Sequence, residues 1–198
     1  MATKVMDLEQ YVLKGMAYEV YLSLISDLLS EGKTTGPNQD IDFVEYTKLN
    51  LQRMERLNKT IAIGEELQQC VKEIKAPQTW LCITEAWCGD AAQNLPLFVV
   101  LANLNPLIKV RFVLRDENTP LIDQYLTNGG RAIPIVIGIE AGKEKWKWGP
   151  RPSAAQEIVN EFKRHPNGTY EQMKTNLHAW YAKNKTHDQQ KELLETIK

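Results

Sequence analysis

The sequence predicts an α/β layer protein built around one small sheet, and three observations carry that prediction. Between residues 79 and 164, short apolar or β-branched runs alternate with helix-period stretches in the order β-α-β-α-β-β-α. The first 76 residues show only helix-period patterns and no catalytic cluster. Finally, the stretch TEAWCGDAAQNLP (84–96) places a cysteine where the first strand run gives way to a helix pattern.

The elements follow in order. From Asp7 to about Leu29, apolar residues recur mostly every three or four positions, which predicts one amphipathic helix. GKTTGPNQD then breaks the pattern. A second helix fits Asp42 to Asn58, with Phe43, Tyr46, Asn50, Met54 and Leu57 on one side; a third fits Glu65 to Ile74 and ends at Ala76-Pro77. TWLCITE reads as a buried strand, 89–104 as a helix, VRFVL (110–114) as a strand and Pro120 to Leu126 as a short helix. AIPIVIGI (132–139) and KEKWKW (143–148) complete four strands, with Trp146 and Trp148 on one face as packing residues. Ser153 is expected to cap a helix reaching about Arg164. After His165-Pro166-Asn167-Gly168, Thr169 and Gln172 form a capping-box signal for a helix burying Tyr170, Met173, Leu177, Trp180 and Tyr181. The tail from Asp188 reads as a weak, frayed helix. The organisation expected is a helical extension over 1–76 packed on a core domain at 77–165, followed by a C-terminal helical segment at 166–198.

Composition narrows the function classes. A formal net charge of −1 provides no global basic field for nucleic acid or an anionic membrane, so neither is an expected partner. No apolar run approaches the roughly 20 residues that span a bilayer, and MATKVMDLEQ lacks a secretory layout. Three cysteines without a repeated spacing disfavour a disulfide scaffold and suit a reducing, cytoplasmic compartment. His165, His178 and His187 match no zinc spacing, so no metal site is expected.

Cys88 is the candidate nucleophile. At a helix start its sulfur faces unsatisfied N–H groups and the positive end of the dipole, which predicts a lowered thiol pKa. Asp90 opposes this if its carboxylate faces the sulfur. Cys82, on the preceding strand, and Cys70 read as core thiols. Arg151 reads as a loop-rigidifying arginine, and Glu85 as a solvated loop carboxylate.

Trp87-Cys88-Gly89-Asp90 resembles the Trp-Cys-Gly-x-Cys motif of the thioredoxin superfamily up to its last position. Pro96 stands eight residues after Cys88, where that family carries a helix proline, and Arg131-Ala132-Ile133-Pro134 resembles its cis-proline loop. With the helical extension, WCGDA and WGPRP, the chain also resembles a bacterial branch of uncharacterised thioredoxin-like proteins. The resemblance implies a thioredoxin fold, with a mixed sheet flanked by helices. It implies Cys88 as the attacking thiol and Trp87, Gly89, Asp90, Ile133 and Pro134 as the groove where a substrate peptide adds its backbone to an open edge. Two positions depart from the family: Ala91 replaces the resolving cysteine, and Cys82 replaces a buried acid.

The reading that follows is monothiol disulfide exchange through Cys88 on a protein disulfide or mixed disulfide. An external thiol such as glutathione would resolve it as co-substrate, with no bound cofactor. The alternative is a redox-inactive binding module that keeps the groove to hold a partner. A peroxidase is disfavoured because Thr84 stands four residues before Cys88 and position 81 is Leu.

Overall fold

The computed structural model describes residues 7–165 and 168–197. Residues 1–6, 166–167 and 198 lie outside the described residues. Four strands, β1 (Gln78–Thr84), β2 (Ile108–Leu114), β3 (Ile135–Glu140) and β4 (Lys143–Trp148), form one sheet in the order β2-β1-β3-β4. β1 runs parallel to β2 and antiparallel to β3, which pairs antiparallel with β4. This is the single α/β sheet the residue pattern predicts, mixed as the family resemblance implies, with β1 fully buried from Trp80 to Thr84.

The single N-terminal helix expected over 7–29 is two helices, α1 (Glu9–Lys14) and α2 (Tyr18–Ser30). Between them Met16 bonds the edge strand β2 through both backbone groups, giving and accepting a hydrogen bond with Phe112 at 2.8 and 2.9 Å. The extended Met16 covers an edge whose unpaired N–H and C=O groups would otherwise invite another strand. Tyr18 and Tyr21 then pack on Phe112, the Tyr21 ring stacked at 5.1 Å.

Helices α3 (Ile41–Thr60) and α4 (Glu65–Lys72) follow, then α5 (Gly89–Ala102) and α6 (Thr119–Ile122). α5 is buried nearly all round, as expected of a helix held between a sheet and other helices. Pro96 lies inside it and removes one backbone donor from the helix ladder. Three helices close the chain: α7 (Ser153–Arg164), α8 (Tyr170–Asn184) and α9 (His187–Ile197).

The C-terminal part departs from expectation in three ways. Ser153 does not cap α7, because Pro152 holds the cap position; the Ser153 N–H instead donates to Glu192 Oε1 at 2.7 Å. A carboxylate from α9 thus takes an orphan donor at the start of α7. The last helix is not frayed: Leu193 and Gln189 are fully buried, and Glu192 Oε2 accepts from Trp148 Nε1 at 3.0 Å. α8 has the expected capping box at Thr169 and Gln172 and buries Met173, Leu177 and Tyr181, but Tyr170 in its first turn is exposed. The reason is position. Tyr170 shares the stripe of Met173, Leu177 and Tyr181 by spacing, but at the first helical residue its ring meets Phe162 and Lys174 and stays 61% exposed.

One main core joins the sheet, α5, the N-terminal helices and α9, while α7 and α8 share a smaller cluster. Trp146 and Trp148 are core residues around Phe98, as expected. Gly138 on β3 makes room for Trp146, since a β-carbon there would overlap the indole ring. Gly138→Ala is therefore expected to lower stability by ~1–3 kcal/mol, as overpacking does in a dense core. A urea unfolding midpoint within error of the parent would contradict that account.

Candidate functional site

The loop between β1 and α5 is held on both sides. Ala86 N–H donates to Thr35 Oγ1 at 2.9 Å, and Asn50 Nδ2 of α3 donates to Ala86 O at 2.9 Å. Cys88 is the N-cap residue of α5. Its sulfur accepts from Ala91 N–H at 3.5 Å and donates to Ile133 O at 3.3 Å. The Ile133–Pro134 peptide is cis. Cys88, Ala91 and Ile133 are thus brought together from three separate segments, with Cys88 8% exposed.

The lowered thiol pKa expected from the helix start is not what the structure gives. Burial, then the nearby Asp90 carboxylate, push Cys88 up to about 12, against the pull of the Ala91 N–H and Arg151. Removing water from an anion outweighs one bent N–H contact and a partial dipole charge. Cys82 is buried within β1 and burial raises its pKa too; Cys70 is half-buried, and no disulfide joins the three cysteines.

Asp90 sits at the centre of a buried polar network. Arg151 Nε and Nη2 reach Asp90 Oδ2 at 3.1 and 2.5 Å, and Tyr181 Oη donates to Asp90 Oδ1 at 2.7 Å. Asn94 Nδ2 bonds both Asp90 O (2.7 Å) and Tyr181 Oη (3.0 Å). Arg151 therefore does more than stiffen its loop: it holds a carboxylate next to the thiol. Two guanidinium donors converge on one carboxylate oxygen while Tyr181 takes the other, so charge-assisted bonds fix the carboxylate at both ends.

Helices outside the sheet close the site from above. Phe43 meets Trp87 edge-on at 5.2 Å, and the Arg115 guanidinium lies 4.8 Å from its ring centre. A β-carbon at Gly89 would sit 2.9 Å from His178 Cε1 and 3.7 Å from Arg53 Nη1. His178 is held neutral, its pKa lowered to about 4 by burial and then by Arg53. Ile133 and Pro134 are buried, and Gly149 packs against the Pro134 carbonyl. Cys88 and Asp90 are buried as well, and Trp87 and Gly89 are half-buried.

Glu85, read from sequence as solvated, is instead fully buried. Its Oε1 accepts from Asp116 N–H at 2.9 Å, while Oε2 has no partner. Burial is the main cause of its raised pKa, with the Asp116 charge adding to it. A carboxyl with a raised folded pKa contributes stability below its ordinary value and loses it as pH rises through the folded value. Glu85→Gln should thus equal the parent at acid pH and exceed it by ~1 kcal/mol near neutrality. Equal stability at both pH values would overturn this.

A family model described as thioredoxin matches residues 36–163, well over half of the chain. The chain belongs to the thioredoxin family. Two solved structures are similar in fold: a protein of unknown function from Pseudomonas aeruginosa and an HIV epitope-scaffold. Each is 16% identical and covers 91% of this chain and 96% of its own, with TM-scores of 0.57 and 0.54. No curated protein matches. In this thioredoxin-family chain the match begins just before α3, so it takes in α3 and α4 ahead of the sheet.

Sequence reasoning missed Thr35, Arg53, His178 and Tyr181 as neighbours of the thioredoxin-type site. One signal was present: Asn50 interrupts an apolar helix face, and a buried amide must find a partner. His178 gave no such signal, because its place beside Gly89 depends on how α8 packs.

Proposed function

We propose that this thioredoxin-family protein performs monothiol disulfide exchange through Cys88, from a resting state in which the thiol is covered and protonated. The observation that carries the reading is the sulfur at the N-cap of α5, between the Ala91 N–H and the Ile133 carbonyl. Once the cover opens and water enters, the burial cost falls, and the Ala91 N–H and helix dipole favour thiolate. Cys88 loses its proton to solvent, and its sulfur attacks one sulfur of a disulfide. A Cys88–sulfur bond forms as the substrate bond breaks and the second sulfur leaves as thiolate. Ala91 has no thiol to reverse this, so an external thiolate such as glutathione attacks the mixed disulfide and releases Cys88. The groove of Trp87, Gly89, Asp90, Ile133 and Pro134 would orient the substrate. A cytoplasmic setting suits three cysteines outside disulfides.

A Cys70→Ala/Cys82→Ala chain tests this. With a glutathionylated peptide, it should form a Cys88 adduct that glutathione removes, both steps being lost in Cys88→Ser. Intact-mass analysis over time reads both steps. The burial of Cys88 favours a second reading, a binding module. Partner capture that is unchanged in Cys88→Ser, with no adduct formed, would establish that reading instead.

A further inference from the structure

A cavity of about 290 Å³ lies on the far side of α5 from the sheet, between α3, α8 and α9. The exchange reading makes no use of it. Leu57, Ile61, Trp180 and Tyr181 give it apolar walls, and the buried amides of Gln93, Asn94 and Gln189 form its inner end. No carboxylate lines it. Arg56 and Lys185 stand at its exposed side, and neither forms an ion pair among the described residues. A pocket with two cations, no acid and one aromatic wall has a defined preference in charge and shape.

Two further observations mark the place as built for contact. Gln189 Nε2 donates to Asn94 O at 3.0 Å, leaving its fully buried Oε1 without a partner. Lys185 is the left-handed C-cap of α8, and the next residue, Thr186, also has a positive φ of 69°; both line the cavity. A β-branched residue in that region is rare, and such strain gathers at ligand clamps.

We propose that this cavity binds a small carboxylate with an apolar body. The body packs on Trp180 and Leu57, and the carboxylate lies between Arg56 and Lys185. The volume is near the lower end of the ~300–1,000 Å³ typical of ligand pockets, which fits a molecule of about a dozen non-hydrogen atoms. The cavity shares Asn94 and Tyr181 with the Asp90 network, but Cys88 does not line it and binding needs no redox step.

Phenylbutyrate and indole acetate, titrated into the full chain and followed by amide NMR, test the proposal. Both should bind saturably, one to one, moving the signals of Asn94, Lys185 and Gln189. The neutral phenylbutanamide should bind about tenfold more weakly, because the two cations then have no charge to meet. Arg56→Ala/Lys185→Ala should weaken the carboxylates about tenfold and leave the amide unchanged. Ala182→Trp, at an exposed helix position lining the cavity, should abolish binding of all three while the fold is retained. No saturable binding by either carboxylate, equal affinity for carboxylate and amide, or binding that survives Ala182→Trp would each overturn the proposal.

Discussion

Replacing Arg151 with methionine is expected to cost ~3–5 kcal/mol of folding stability, the largest effect of any single change proposed for this chain. The Asp90 and Arg151 side chains are only 11% and 14% exposed. Removing the cation leaves Asp90 with the Tyr181 hydroxyl and no compensating charge. Asp90→Leu combined with Arg151→Met removes the stranded charge and should recover most of the loss, since buried ion pairs contribute little net energy over apolar substitutes. Urea unfolding of the two single variants and the double variant gives the coupling directly. Additive losses would mean that the pair is not coupled. Asp90→Asn also removes a charge that raises the Cys88 pKa, so the thiol should titrate lower in that variant.

The second large effect concerns Cys88 itself. In a chain lacking Cys70 and Cys82, alkylation of folded Cys88 near neutrality should be on the order of 10²–10³-fold slower than in urea. Its thiolate is scarce, and higher nucleophilicity offsets only part of that scarcity. The same shift links to stability. An acid whose folded pKa is raised contributes stability below its unfolded value, and loses it as pH rises through the folded one. Between the free-thiol value of about 8.5 and the folded value, each pH unit should cost the parent ~1.4 kcal/mol relative to Cys88→Ala. The folded value is about 12. The buried Tyr18 and Tyr21 also lose stability in alkaline solution, and the Cys88 charge is one cause of the raised Tyr21 value, so the comparison is made below about pH 10, before an unfolded tyrosine titrates. Parallel pH profiles, or alkylation as fast as in urea, would show that Cys88 is open and wet.

Opposed expectations of this thiol show where local reasoning stops. The helix start at Cys88 and the strand before it were legible, because hydrophobic period and capping position are properties of neighbouring residues. The sign of the pKa shift was not. It depends on α3, the 31–40 loop and α8 excluding water, and none of these is near Cys88 in sequence. Glu85 was misread for the same reason. Its burial comes from Thr35 and Asp116, on either side of it in the chain and brought to it by folding.

The amino-acid order by itself determined the α/β class, the four strands, nearly every helix and the resemblance of Trp87-Cys88-Gly89-Asp90 to a thioredoxin motif. These follow from short-range period, turn chemistry and motif spacing. Only the tertiary structure decided that Met16 leaves its helix to cover β2, that α9 docks against β4, and that Arg151 and Tyr181 meet Asp90. It also decided that the thiol rests dry beneath helices from both ends of the chain. Burial and charge pairing are set by which distant segments share a volume, and a local pattern carries no record of that.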